Sequence, residues 1–157
     1  MPIGSLTGSP PNSIGSSGDR AWQADPWLSA DETLSAQAYD GAHDALRIDR
    51  GHQAPLAAFS GTPFAAETNI LSNITPQSSA LNQGPWNSLE EQERLLAQRL
   101  DTAVYVTIGP LFERLMAPLP ARPELERVPS GYWKVIALAD GRMSAFIFDQ
   151  ATGGRTS

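Results

Sequence analysis

The chain has 157 residues, 41% of them hydrophobic, which suits one globular domain and no more. Its net charge of −6 and pI near 4.8 exclude a uniformly basic nucleic-acid-binding surface, but a site needs only local positive charge. Cysteine is absent, which excludes disulfides, thiolate nucleophiles and cysteine-held zinc.

Residues 1–19 are polar and rich in Gly, Ser and Pro, and read as a disordered leader. They lack the basic and apolar regions of a signal peptide. Nowhere does an apolar run approach the roughly 20 residues needed to span a membrane. From Arg20 to Leu34 the composition predicts an irregular segment anchored by Trp22 and Trp27. Leu46 to His52 reads as a strand with a tight exit at Gly51, and Pro55 to Ala58 as a short helical turn. Thr68 to Ile74 reads as a strand or strand end, and Pro76 to Pro85 as a loop. Trp86 to Leu100 is predicted as the major helix, with apolar residues at 86, 89, 96 and 100 on one face and Pro85 suited to the first turn. Glu90 and Glu91 come early and Arg94 and Arg99 late, as the helix dipole prefers. Three β-like runs follow, at Val104–Ile108, Tyr132–Ala139 and Ala145–Phe148, the last two joined at Asp140-Gly141. A proline-rich loop, Pro118–Pro129, separates the first two, and 151–157 reads as a flexible tail. The pattern is α+β: a mainly antiparallel sheet with one long helix, in a domain spanning 20–150.

The basic residues are ten arginines and one lysine, Lys134. Arginine's rigid fork suits oxyanions, although a GC-rich coding bias gives the same composition. His43 lies in a polar stretch and reads as incidental, whereas His52 is the strong candidate for a general base near neutral pH. Asn82, at the helix entry, is either a cap or a hard oxygen donor. Magnesium keeps several waters and needs few protein ligands, so one amide oxygen would serve. Glu90 and Arg94 are four residues apart and share a helix face. They form either a surface ion pair or a couple in which Glu90 meets a metal's water and Arg94 a phosphate oxygen. The apolar stripe omits both, which places them off the core side. There is no G-x-S-x-G elbow and no P-loop.

The segments DRGHQAP (49–55), SNITPQ (72–77), LNQGPW (81–86) and LEEQER (89–94) closely resemble the DNA/RNA non-specific endonuclease family, of ββα-metal or His-Me finger type. The likeness continues in RAWQADP (20–26), YDGAHDAL (39–46), YVTIGPLFER (105–114), PSGYWKVI (129–136) and AFIFDQ (145–150). It implies a metal-dependent hydrolase that cuts phosphodiester bonds in both DNA and RNA. By resemblance His52 is the general base, and Asn82 is the single direct protein ligand of magnesium, with manganese as the alternative. Glu90 orients the metal's waters, and Arg94 and Arg20 stabilise and bind the phosphate. Arg50 and Asn73 support the site, by binding phosphate or by positioning His52. Secretion or a periplasmic location, an inhibitor protein and a homodimer are further family expectations. The family continues beyond Gln150 and carries an apolar region before the stretch matching Arg20. A second reading is therefore a truncated, catalytically weak nuclease-fold remnant that binds nucleic acid or a partner protein.

Overall fold

The computed structural model describes residues 21–123 and 128–151. The expectations for the leader, for Arg20 and for the tail beyond Ala151 lie outside these residues.

The chain enters the site through α1 (Ala42–Leu46), which follows the left-handed Gly41 and ends at a left-handed Arg47. That sharp exit feeds β1 (Ile48–His52), which pairs antiparallel with β2 (Ile74–Ser78), setting Ile48 opposite Ser78 and His52 opposite Ile74. Between them lie α2 (Leu56–Phe59) and two 3-10 turns, Ala65–Asn69 and Leu71–Asn73. The strand expected over Thr68–Ile74 is therefore corrected. Thr68 Oγ1 donates to Ala65 O, and Asn73 N to Ile70 O, so local bonds hold these residues in turns until Ile74.

The loop expected over 76–85 is corrected as well. Pro76 belongs to β2. Gln53 N donates to Asn73 O and Ser79 N to Arg47 O, so the hydrogen-bonded pairs fall on odd-numbered residues. The proline nitrogen thus faces away from β1 and breaks no ladder bond. The chain then coils at once into α3 (Ser79–Leu81), where Ser78 Oγ accepts from Leu81 N. A wide turn over Asn82–Trp86, broken at Gly84, leads into α4 (Asn87–Leu100). Two strands and a helix now surround one point, with His52 at the end of β1 and Asn82 at the helix entry.

A second sheet holds β3 (Val104–Leu111), β4 (Gly131–Leu138) and β5 (Met143–Asp149), antiparallel in that order. Each lies where a strand was expected, and β3 runs on through Gly109-Pro110. The Trp133 indole lies across Gly109 so closely that a Cβ there would enter the ring. Gly141, at φ 88°, closes the β4–β5 turn, with Arg142 N donating to Asp140 Oδ1. No helix among the described residues is long and apolar enough to cross a membrane.

Two apolar clusters hold the layers together. One joins Tyr39, Ala42, Ile48 and Ile74 to Leu119 and Val128, so the proline-rich loop contributes core residues at both its ends. The other packs Leu81, Trp86 and Tyr132 between α4 and the three-stranded sheet. Polar bonds sew the sheets together: Tyr132 Oη and Gln150 Nε2 both donate to Pro76 O at 2.7 Å, and Ser78 N donates to Gln150 Oε1 at 2.7 Å. The carbonyl that β1 leaves unpaired on Pro76 is the one the second sheet uses. Trp22 packs against the first cluster as expected, but Trp27 is 90% exposed and anchors nothing.

Candidate active site

Alternation along β1 puts Arg50 and His52 on one face and Asp49 and Gly51 on the other. Gly51 lies against the side chain of Gln77, where a Cβ would collide with the amide, so the strand pair closes tightly beside His52. His52 Nε2 is 3.0 Å from Asn69 Oδ1, and the imidazole packs at 5.7 Å from the Trp22 ring. With the amide oxygen as acceptor, Nε2 carries the proton and the ring lone pair lies on Nδ1. Asn69 was missed by sequence reasoning, because an asparagine in a turn is ordinary until its partner is known.

Arg50 lies between two aromatic faces, its guanidinium 5.5 Å from the Trp22 ring and 5.1 Å from the Tyr39 ring. Its Nη2 donates to Ala36 O at 2.8 Å. Asn73 is turned to the backbone. Its Nδ2 donates to Ala54 O and Thr68 O, each at 2.9 Å, and its Oδ1 accepts from Ala54 N at 2.8 Å. It thereby fastens the chain leaving His52 to the turn that carries Asn69.

The other face of β1 builds the second half of the site. Asp49 Oδ2 accepts from Asn82 Nδ2 at 3.1 Å and from Gln83 Nε2 at 2.9 Å. Its Oδ1 accepts from Ser79 Oγ at 2.7 Å and lies 2.9 Å from His43 Nδ1. Burial works against its charge, but bonds from Ser79, Gln83, Asn82 and His43 outweigh that and hold its pKa below the usual carboxylate range. His43, read as incidental, is thus corrected: it steadies the carboxylate that pins Asn82. With Nδ2 committed, the side-chain donor atom left to Asn82 is its carbonyl oxygen.

Arg50, His52, Asn82, Gln83, Asn87 and Glu90 line one cavity of about 320 Å³. A neighbouring cavity of about 660 Å³, between α2, α4 and β3, shares the Glu90 wall and adds Glu93 and Arg94. The structure therefore brings together His52, Asn82, Glu90 and Arg50, sets Arg94 next door, and keeps Asn73 behind the wall.

Glu90 departs from expectation. It is buried, at 8% exposure, rather than lying on the solvent side of α4, while Leu100 of the apolar stripe is 41% exposed. The reason is Lys134 on β4, fully buried beneath the helix with its Nζ 3.9 Å from Glu90 Oε1 and 3.0 Å from Glu93 Oε1. Burial pushes the Glu90 carboxyl up to about 7; the Lys134 ammonium opposes this and the Glu93 charge adds to it. A carboxyl that holds its proton more tightly when folded weakens the fold as pH rises from its unfolded value through 7. In magnesium-free buffer, Glu90→Gln is accordingly expected to stabilise the protein at pH 8 and to leave it nearly unchanged at pH 4. The gain is on the order of 3 kcal/mol at full ionisation. Urea midpoints at the two pH values measure it; equal effects at both would refute the assignment.

The donor set fits a hard cation. Among the described residues no three His, Cys, Asp or Glu side chains cluster as metal ligands. One amide oxygen with a carboxylate nearby suits magnesium, which retains its water, and not zinc.

The family model for DNA/RNA non-specific endonucleases matches residues 4–157. The chain belongs to that family. A nuclease of Serratia marcescens is 49% identical over 138 residues, covering 85% of this chain and 52% of the relative. The mitochondrial endonuclease G of Homo sapiens is 41% identical over 86 residues, 52% of this chain and 29% of that protein. The chain thus spans about half the length, or less, of these family members. A solved structure, the EndoG/EndoGI complex, superposes with a TM-score of 0.62 over 84% of this chain and 58% of its own, at 24% identity, which establishes the shared fold.

Proposed function

We propose that the protein is a magnesium-dependent endonuclease that hydrolyses phosphodiester bonds in DNA and RNA. The observation that carries this reading is the convergence of His52, Asn82 and Glu90, with Arg50, on one cavity. His52 Nδ1 removes a proton from the attacking water as its oxygen bonds to phosphorus and the opposite P–O bond breaks. Asn69 holds the ring through Nε2. The Asn82 carbonyl oxygen holds the cation, with manganese as the alternative to magnesium, and Glu90 orders water beside it. When bound, the ion lowers the energy of the charge that develops on the phosphate oxygens. Arg94, together with Arg20, meets the same charge. Arg50, stacked between Trp22 and Tyr39, is a rigid cation behind His52, and Asn73 is a positioning residue for the His52 loop. Contacts confined to phosphate read no base and no 2′-hydroxyl, which accounts for a substrate class that includes both nucleic acids.

The test uses the whole chain with supercoiled plasmid and with RNA, in magnesium and in EDTA. Cleavage of both in magnesium and of neither in EDTA is expected. A folded protein that leaves both intact in magnesium refutes the reading. The expectation of an inhibitor partner draws its support from the EndoG/EndoGI complex, in which EndoG is inhibited. Compartment does not follow from family membership, since the human relative is mitochondrial by name.

A further inference from the structure

The chain's one lysine is also one of its most deeply buried side chains. Lys134 lies on β4, between β3 and β5, and points beneath α4. An ammonium taken from water costs several kcal/mol unless it is well paired, and apolar residues fill such places with no loss of stability. Its surroundings are therefore informative. The Nζ lies 4.1 Å from the centroid of the Trp86 ring, 3.0 Å from Glu93 Oε1 and 3.9 Å from Glu90 Oε1. None of Lys134 Nζ, Glu90 Oε1 and Glu93 Oε1 makes an aligned hydrogen bond, so charge holds the group together. Glu93 alone would neutralise the ammonium. Glu90 is the shared member, facing Lys134 through Oε1 and forming part of the cavity wall beside Asn82 and His52.

On the nuclease reading above, we propose that Lys134 is a positioning residue for that reaction: held in place by Glu93, it draws Glu90 Oε1 inward and fixes the carboxylate at the cavity wall. The charged or titratable groups facing Glu90 are Glu93 and Arg94 from its own helix, Lys134 from β4, and Arg50 and His52 across the cavity from β1. Lys134 is the one among them that is fully buried on the side away from the cavity. Its effect on cleavage runs through Glu90, since the Trp86 ring and the sheet close it off from substrate.

The test compares Lys134→Met, Lys134→Arg and Glu93→Gln with wild type, each checked for cooperative unfolding. In magnesium, Lys134→Met is expected to lower kcat by about 10- to 100-fold with KM for plasmid nearly unchanged, the scale of a displaced active-site group. Lys134→Arg is expected to recover part of that loss. In a Glu90→Gln background, Lys134→Met is expected to add no further loss of kcat; additive losses overturn the proposal, because Lys134 would then act without Glu90. A second readout needs neither metal nor activity. Carbon-13 NMR of the glutamate carboxyls should show Glu90 titrating about one pH unit or more higher in Lys134→Met, and lower than wild type in Glu93→Gln. The Glu93→Gln arm carries the test if Lys134→Met does not fold. An unmoved Glu90 signal in a folded variant overturns the proposal. If the signal moves as expected while wild type cleaves nothing, the nuclease reading falls and the coupling of Lys134 to Glu90 stands.

Discussion

His52→Ala is expected to reduce kcat for plasmid and for RNA by about 10²–10⁴-fold, the range a positioned general base contributes. KM should change little, because Arg94 and Arg50 remain. Three features make His52 the residue to remove. It ends β1 at the rim of the cavity that also receives Asn82 and Glu90. Its Nε2 is engaged by Asn69 Oδ1, which leaves the lone pair on Nδ1. Its ring is backed by Trp22, which limits rotation. Asn69→Ala should give a smaller loss, since the base would remain but its orientation would relax. The fold should survive both changes, because neither side chain is in an apolar cluster. Initial rates beside a thermal melt decide the matter. Wild-type rates from folded His52→Ala would end its assignment as the base.

Asn82→Ala is expected to abolish magnesium-stimulated cleavage, with a loss of more than about 100-fold, since even a residue that merely orients a metal ligand is worth about 10- to 100-fold. The substitution removes the amide oxygen and also deprives Asp49 Oδ2 of one of its two amide donors. Asp49→Ala separates these effects. It keeps the oxygen but releases Nδ2, so the amide can rotate, and a loss of about 10- to 100-fold is expected, partly recovered at high magnesium. Calorimetric titration with magnesium should show binding to wild type and none to Asn82→Ala. If Asn82→Ala cleaves and binds magnesium like wild type, the cation is held elsewhere.

Much of this site was legible before the structure because its parts are close in the chain. The strand ending at His52 and the helix carrying Glu90 and Arg94 follow from local alternation and helical spacing, and β3, β4 and β5 appear as apolar runs bounded by turn residues. The errors share a cause. Thr68–Ile74 looks like a strand by composition, but Thr68 and Asn73 make local bonds that favour turns. Pro76 looks like a loop residue, but it sits at a position whose nitrogen faces away from the partner strand. In each case the outcome depended on the placement of backbone and side-chain hydrogen bonds, which composition does not encode.

Glu90 shows the boundary most clearly. Its i to i+4 spacing from Arg94, with the stripe of leucines elsewhere on the helix, is read from the chain alone as a pair off the core side, either a surface ion pair or a couple lining a cleft. The fold buries it instead, because β4, more than 40 residues later, brings Lys134 beneath the helix. Likewise His43, Ser79 and Gln83 meet at Asp49 only because the antiparallel β1–β2 pairing brings α1 and α3 to the same end of the strand pair. What the amino-acid sequence determined by itself was the family and the ββα order, since these lie in short motifs with local periodicity. What the tertiary structure decided was the surroundings of the site residues: that His52 Nε2 meets Asn69 Oδ1, that the Asn82 amide nitrogen is held by Asp49, and that Glu90 is buried beside Lys134 and Glu93. Those properties are set by partners distant in the chain, through burial and electrostatics that only the packed fold brings within a few ångströms.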